Sequence, residues 1–236
     1  MASNWLTLNL SMPPYLPALG YKFWTILTYM FSHKGLFHLL FNMLWLYWMG
    51  KIFLDFLNSR QFTFTYLSGG FGGALLFILA YNFIPAFSER LYLSMGLIGA
   101  SASVMAIVTA TATLLPDYTI NLLIIGPVRL KYLALVYFLL DIIGIAGSNP
   151  GGSIAHIGGA IMGFVYIKQL KKGNDWSKIL QKKPKLKVVQ KNKPTVKNTN
   201  LPDQELIDSI LDKINKSGYE NLSKKEKEQL FKASKK

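Results

Sequence analysis

Five apolar stretches, each near the length that crosses a lipid bilayer, follow one another along this chain and constrain its fold more than any other feature. They cover residues 35–57, 62–83, 96–115, 130–146 and 153–170. A membrane-spanning helix needs about 20 apolar residues, and five such stretches with short loops between them fit the buried helices of a soluble protein poorly. The pattern predicts an all-α fold, a polytopic membrane helical bundle with five spans.

Charged residues divide the chain into two parts. Residues 1–167 hold eleven of the 38 Asp, Glu, Lys and Arg residues, and the last 69 residues hold twenty-seven. The tail carries +11 of the formal net charge of +14, so the basic composition reflects a cationic segment after the last span and gives no reason to expect nucleic-acid binding. The chain has no cysteine, which excludes disulfides, thiolate metal sites and a cysteine nucleophile.

Basic residues in the loops predict the orientation of the bundle. They follow the first, third and fifth stretches, at Lys51, Arg60, Arg129, Lys131, Lys168, Lys171 and Lys172. The positive-inside rule makes these loops and the C-terminus cytoplasmic. Five spans then place the N-terminus outside, although residues 1–21 contain no signal segment that would export it. We expect residues 1–34 to form an extracytoplasmic or interfacial loop.

Four polar side chains within the predicted spans are candidates for chemistry. His38 and Asn42 share one face of the first helix, while Ser101 and His156 lie near the starts of the third and fifth. Because alternate spans run in the same direction, all four lie near the outer membrane face. A histidine in a span points to function, although a lone one can simply bridge two helices. A serine beside an imidazole is the nucleophile and general base of acyl transfer, and neighbouring donors could hold an oxyanion.

Small residues surround these polar groups. Gly159 and Gly163 lie on the same face as His156 in a G-x-x-x-G spacing, which lets helices approach closely in lipid. Close helix packing accounts for most of the small residues in the second, third and fifth stretches. The two glycines would also bring the His156 helix near the Ser101 helix.

These motifs resemble those of the rhomboid intramembrane serine proteases, over residues 24–170. The matching motifs are H-x-x-x-x-H-x-x-x-N at His33, His38 and Asn42, G-x-S at Gly99, Ala100 and Ser101, and A-H-x-x-G-x-x-x-G at Ala155, His156, Gly159 and Gly163. The resemblance implies that Ser101 is the nucleophile and His156 the general base and acid. It implies an oxyanion hole of His38, Asn42 and the Ser101 backbone N–H. It further implies cleavage of transmembrane protein substrates near their extracytoplasmic ends, without a metal or cofactor.

Several features depart from the family pattern. Ala102 follows Ser101 where many members have glycine, and its methyl can restrict the backbone beside the nucleophile. Met105 replaces a tyrosine that often stacks on the catalytic imidazole, although its thioether can still pack against a ring. Thr25 follows Trp24 in place of an arginine. The resemblance implies a further helix before the loop at the start of this sequence, and we expect the sequence to lack that helix.

Asp141 is an acid near the outer end of the fourth stretch. Serine proteases outside membranes commonly orient their histidine with a buried carboxylate, so Asp141 is a candidate third catalytic member. However, burying a carboxylate in lipid is unfavourable, and fifteen residues with a glycine-rich loop separate Asp141 from His156. We expect Asp141 to reach water or cap that loop, which favours a Ser101 and His156 dyad over a triad.

The tail after the transmembrane core at residues 35–170 divides in two. Residues 171–201 form a basic, disordered linker whose lysines suit anionic lipid headgroups. Residues 202–236 predict a small cytoplasmic helical hairpin, in which Gly218 suits a C-cap and Ser223 with Glu226 forms a capping box. The hairpin resembles an appendage of some bacterial rhomboids, so we expect a multi-pass protein of the bacterial plasma membrane.

Two other classes of function remain open. A catalytically impaired rhomboid-like protein would keep the fold and bind membrane clients without cutting them. A small-solute transporter would show internal repeats and interrupted helices near mid-membrane, whereas the polar groups here share one outer depth.

Overall fold

The computed structural model describes residues 2–89, 91, 96–122, 125–181 and 204–234, and these are mostly helical. In chain order the helices are α1 (Ala2–Leu10), α2 (Leu16–Tyr21), α3 (Thr25–Thr28), α4 (Leu36–Phe56), α5 (Ser59–Phe83), α6 (Pro85–Ser88), α7 (Ser101–Leu114), α8 (Leu130–Gly144), α9 (Pro150–Lys171), α10 (Gln204–Ser217) and α11 (Lys224–Ser234). Strands β1 (Thr119–Leu122) and β2 (Gly126–Arg129) form an antiparallel ribbon in which Thr119 pairs with Arg129. The chain divides into two compact units, Met1–Lys183 and Pro184–Lys236.

Each of the five apolar stretches contains a helix. Three of these helices, α4, α5 and α9, are long and apolar enough to cross a membrane. The other two are shorter than a straight span of about 20 residues, with 14 residues in α7 and 15 in α8. The protein is therefore a helical membrane protein with three candidate spans of full length, and the crossing of the membrane by α7 and α8 stays a prediction.

Helices α5, α7 and α9 pack closely through small residues. A methyl group added to Gly159 of α9 would overlap the carbonyl oxygen of Ala102, and one added to Gly163 would overlap that of Ala106. On α5, a methyl added to Gly73 would lie 2.7 Å from the Ala102 Cβ. The three helix backbones are thus nearly in contact, as small residues permit in membrane helices.

The segment before α4, predicted as an interfacial loop, contains short helices that pack on the core. Met12 and Leu97 exchange two backbone hydrogen bonds of 2.8 Å, and the Met12 side chain is fully buried. The hydroxyl of Tyr29 donates to the carbonyl oxygen of Gly70 on α5 at 2.6 Å. These contacts anchor the segment to both α5 and the residues that precede α7.

Asp175 joins the chain after α9 to the start of α5. Its carboxylate accepts hydrogen bonds from Arg60 at 2.9 Å, Tyr166 at 3.0 Å and the Ser177 hydroxyl at 2.6 Å. Burial raises the pKa of Asp175, but the hydrogen bonds from Ser177 and Tyr166 and the charge of Arg60 outweigh burial, so the pKa is lowered. The carboxylate therefore remains ionised at neutral pH and fixes these ends of α5 and α9 together.

The second unit is a helical hairpin of α10 and α11. The backbone N–H of Ser223 donates to Glu226 at 2.7 Å, and the N–H of Glu226 donates back to the Ser223 hydroxyl at 3.3 Å. Lys213 of α10 reaches the same carboxylate at 2.9 Å. The hydrogen bonds from Lys213 and Ser223 lower the pKa of Glu226 to about 2. Residues 182–201 of the predicted basic linker lie outside the described residues. Its first part is structured rather than disordered, because Trp176–Leu180 form a 3₁₀ helix in which Ser177 is fully buried.

Candidate active site

Three of the predicted site residues meet at one small cavity. Its volume is about 130 Å³. The lining residues are Phe41, Asn42, Trp45, Ser101, Val104, Met105, Val108, Tyr137 and His156. Asn42 lies in the second turn of α4, Ser101 is the first residue of α7, and His156 lies in the second turn of α9. The starts of three helices thus bring together a serine, an imidazole and an amide.

The fourth predicted residue, His38, lies beside this cavity against Gly99. A methyl group added to Gly99 would come within 2.7 Å of the His38 Cε1 atom and 2.9 Å of its Nε2 atom. Gly99 also has φ +132°, a conformation that side chains disfavour. Glycine is therefore needed here for both reasons, and it lets the His38 ring approach the backbone just before Ser101.

Ser101 occupies the N-terminus of α7. The first hydrogen bond of this helix runs from the Val104 N–H to the Ala100 carbonyl, at 2.9 Å. The N–H groups at the start of a helix have no partner within it and carry partial positive charge, so the Ser101 N–H can receive an anion. Ala102 lies within α7, and no described residue other than glycine has a positive φ, so its methyl group imposes no backbone strain.

Asn42 is 7% exposed, and its side-chain amide donates to the His38 carbonyl at 2.7 Å. That bond uses one of the two N–H bonds of the amide. The other N–H is the group that Asn42 can offer to a ligand in the cavity.

Asp141 contacts His156 directly. Its Oδ1 atom lies 2.8 Å from His156 Nδ1, and the two side chains are 13% and 25% exposed respectively. Our expectation that Asp141 would reach water or cap the following loop was therefore wrong. Helices α8 and α9 are joined by only residues 145–149, so the last turn of α8 lies beside the first turns of α9. The imidazole supplies the partner that makes burial of the carboxylate tolerable.

Ser101 and His156 share the cavity without a hydrogen bond. Among the hydrogen bonds of the described residues, none joins the Ser101 hydroxyl to the His156 ring. Catalytic pairs are often separated in the absence of substrate and shorten their distance when it binds. The structure thus shows that Ser101 and His156 line the same cavity.

Two lining residues, Trp45 and Tyr137, were not predicted. Their rings lie edge to face with centroids 5.0 Å apart, which connects α4 to α8 beside the cavity. Tyr137 precedes Asp141 by four residues, so both lie on one face of α8. That spacing is the sequence signal that could have placed this face of α8 at the site.

The rhomboid domain family matches residues 21–172, which include every residue of this cavity. The chain belongs to the rhomboid family. A separate match covers residues 199–236 of this rhomboid, which include both helices of the second unit, and it is to a family of unknown function, DUF6576.

Three curated relatives are also rhomboid-like by name. The chain is 29% identical to RHOMBOID-like protein 12, mitochondrial, of Arabidopsis thaliana, over 63% of this chain and 47% of that protein. It is 32% identical to Presenilin-associated rhomboid-like protein A, mitochondrial, of Danio rerio, over 58% of this chain and 35% of that protein. It is 23% identical to Rhomboid-like protein 16, chloroplastic, of Arabidopsis thaliana, over 72% of this chain and 55% of that protein.

This rhomboid therefore spans between about a third and just over half of the length of these relatives. Their names place them in mitochondria or chloroplasts, which gives no support to the predicted bacterial plasma membrane. No solved structure matches the chain.

Proposed function

We propose that this rhomboid is an intramembrane serine endopeptidase that hydrolyses peptide bonds of transmembrane protein substrates. The observation that carries the proposal is the meeting of Ser101, His156 and Asn42 at one cavity, at the starts of three helices of a rhomboid fold. A hydroxyl, an imidazole and an amide donor are the groups that acyl transfer needs. No metal or cofactor enters this chemistry.

In the proposed reaction, the Ser101 hydroxyl oxygen attacks the carbonyl carbon of the scissile bond. His156 accepts the serine proton as the general base and returns it to the leaving amine as the general acid. Water then hydrolyses the acyl-enzyme ester, again with His156 as the base. Shielding by the surrounding Phe41, Trp45 and Tyr137 rings limits the water that reaches the ester.

The oxyanion of the tetrahedral intermediate is held by the Ser101 backbone N–H, the free N–H of Asn42 and the His38 ring. The first of these lies at a helix N-terminus, where partial positive charge favours an anion. Each such donor contributes roughly 10²–10³-fold to the rate in serine hydrolases.

Asp141 makes the proposed machinery a triad rather than a dyad. An ionised carboxylate beside Nδ1 requires the hydrogen on that nitrogen, which leaves the Nε2 lone pair free to accept the serine proton. The same carboxylate stabilises the imidazolium that forms during attack. Asp141 acts through His156 and does not touch the substrate, so its role is that of a positioning residue.

The proposed substrates are transmembrane proteins cut near the membrane face at which α4, α7 and α9 begin. That face is opposite the basic loops, which the positive-inside rule places in the cytoplasm, so the cleavage site is extracytoplasmic. The protein is multi-pass, with its tail on the cytoplasmic side of the membrane. The lysines of the linker are proposed to contact anionic headgroups.

The experiment is cleavage of a panel of fluorogenic transmembrane peptides in proteoliposomes. We expect Ser101→Ala and His156→Ala each to abolish cleavage, with the thermal unfolding midpoint of Ser101→Ala close to that of the wild type. Cleavage that persists in Ser101→Ala would contradict the proposal. Binding of the peptides without cleavage by the folded wild type would instead support a catalytically impaired, client-binding rhomboid.

A further inference from the structure

A larger cavity of the first unit lies toward the basic end of the bundle, and its lining residues Thr109 and Phe138 adjoin Val108 and Tyr137 of the proposed active site in sequence. It is a crevice of about 690 Å³ between α7, α8 and α9. Its lining includes three lysines, Lys131 at the start of α8 and Lys168 and Lys171 in the last turn of α9. The proposed catalysis uses none of these residues.

The crevice has a charged mouth and an apolar interior. Leu135 and Phe138 follow Lys131 by four and seven residues along α8, and Ile161 precedes Lys168 by seven residues along α9. Seven residues of helix span about 10 Å, so the apolar walls continue about that far from the lysines toward the middle of the membrane. The side chains of Leu135 and Ile161 are about half exposed, at 51% and 48%, and would face lipid.

The mouth keeps an excess of positive charge. Lys131 pairs with Asp117 at 2.7 Å, and Asp117 also pairs with Arg129 at 3.2 Å, so one carboxylate serves two cations. Lys171 donates to the neutral carbonyl oxygen of Thr113 at 2.8 Å. Lys168 lies over the Phe164 ring, 5.4 Å from its centroid. Neither of the last two contacts neutralises its ammonium group.

We propose that this crevice binds one anionic phospholipid from the leaflet on the basic side of the membrane. The phosphate lies among Lys131, Lys168 and Lys171, and an acyl chain lies between Leu135 and Phe138 of α8 and Ile161 of α9. A free phosphate ion would satisfy the lysines but leave these apolar walls unused. Basic pockets between membrane helices on the cytoplasmic side are a known form of headgroup recognition.

A bound lipid would stabilise the packing of α8 against α9. Of the α8 side chains, only Leu130 and Leu133 are buried among the described residues, so this helix has little packing of its own. An acyl chain between the two helices adds apolar contact at the place where protein contact is sparse. The lipid should therefore raise the stability of the protein in detergent.

The experiment measures lipid retention by native mass spectrometry on the full chain in neutral detergent. Phosphatidylglycerol and phosphatidylcholine are added at equal concentration, and thermal unfolding is followed in parallel. We expect the wild type to retain one phosphatidylglycerol in preference to phosphatidylcholine and to unfold at a higher temperature with phosphatidylglycerol. Lys168→Gln combined with Lys171→Gln should weaken that binding roughly tenfold to thirtyfold, because each lysine near an anionic headgroup strengthens binding by roughly threefold to fivefold.

Three controls make the result decisive. Lys172→Gln removes a neighbouring exposed lysine that does not line the crevice, and it should bind phosphatidylglycerol like the wild type. Lys168→Gln alone removes one positive charge but keeps the hydrogen bond from Lys171 to the end of α7. It therefore tests the effect of charge on lipid binding without disturbing the contact between α7 and α9. Leu135→Trp fills the apolar interior and should reduce lipid retention with all lysines present.

Equal loss of binding in Lys172→Gln and Lys168→Gln would overturn the proposal, because it would indicate non-specific attraction to basic residues. Displacement of phosphatidylglycerol by millimolar inorganic phosphate, with Leu135→Trp binding normally, would also overturn it and indicate a simple anion site. Neither outcome depends on whether Ser101 is a nucleophile.

Discussion

At the scale of single residues, the contact between Asp141 and His156 yields a direct prediction. Asp141→Asn should lower kcat by roughly 10²–10⁴-fold with little change in KM, because the amide no longer fixes the tautomer of His156 or balances its positive charge. Steady-state cleavage of a transmembrane peptide measures both constants. The unfolding midpoint should remain near the wild-type value.

A matched control for this change is Asp117→Asn, which removes a carboxylate at the opposite, basic end of the bundle. Asp117→Asn should leave kcat near the wild-type value, and Asp141→Glu should restore part of the rate lost in Asp141→Asn. If Asp141→Asn cleaves within twofold of the wild type, the contact with His156 only stabilises the fold and the chemistry needs no third member.

Asn42 carries a second prediction at this scale. Asn42→Ala should reduce kcat by roughly tenfold to a thousandfold, since it removes one oxyanion donor while the Ser101 N–H and His38 remain. Asn82→Ala is its control, because Asn82 also donates to the carbonyl four residues earlier, at 2.9 Å, and to the Pro14 carbonyl, at 2.8 Å, but does not line the cavity. Similar losses in both variants would indicate a helix effect and would remove Asn42 from the oxyanion hole.

Local motifs were enough to select Ser101, His156 and Asn42 as candidates, because each lies in a short pattern whose spacing fixes its position on a helix, and their catalytic roles stay predictions. Asp141 could not be placed in this way. Its contact depends on how the end of α8 packs against α9 across a loop, and a separation of fifteen residues does not encode that packing. The general argument against burying a carboxylate in lipid also failed here, since it ignored a partner on the adjacent helix.

At the scale of helices, the approach of α9 to α7 can be tested at Gly159. Gly159→Ala should lower the free energy of unfolding by about 1–3 kcal/mol, because the added methyl overlaps the Ala102 carbonyl and must push the two backbones apart. Activity should fall with it, since Ser101 and His156 lie on those two helices. Thermal or denaturant unfolding in detergent measures the change.

Gly20→Ala is the matched substitution, as an added methyl there has no neighbour within 4 Å. It should leave both stability and cleavage unchanged. Unchanged stability in Gly159→Ala would mean that α7 and α9 lie further apart than the structure has them.

The lengths of the apolar stretches were enough to predict the helices α4, α5, α7, α8 and α9, but they could not predict the smaller elements. The ribbon of β1 and β2 lies in a connection between two apolar stretches, where no helical period is present. The segment before α4 makes hydrogen bonds to distant partners, such as Leu97 for Met12 and Gly70 for Tyr29. Such elements are stabilised by contacts with residues that are distant in sequence, and a local sequence pattern does not show these contacts.

At the scale of the whole molecule, the two units should be separable in function. Removing residues 184–236 should leave kcat/KM within about twofold, because every proposed catalytic side chain lies in the first unit. Cleavage by the truncated and full-length proteins in the same vesicles makes the comparison. Loss of cleavage in a truncation with a normal unfolding midpoint would show that the hairpin or linker takes part in catalysis.

The central claim is that Ser101 is an activated nucleophile, and covalent labelling by a fluorophosphonate probe in native-like membranes tests it most directly. We predict that the wild type is labelled at Ser101, that Ser101→Ala is not labelled, and that His156→Ala is labelled far more slowly. Ser103→Ala, which removes a serine two residues along the same helix, should be labelled like the wild type. Absence of label on the folded wild type, or label that persists in Ser101→Ala, would contradict the account.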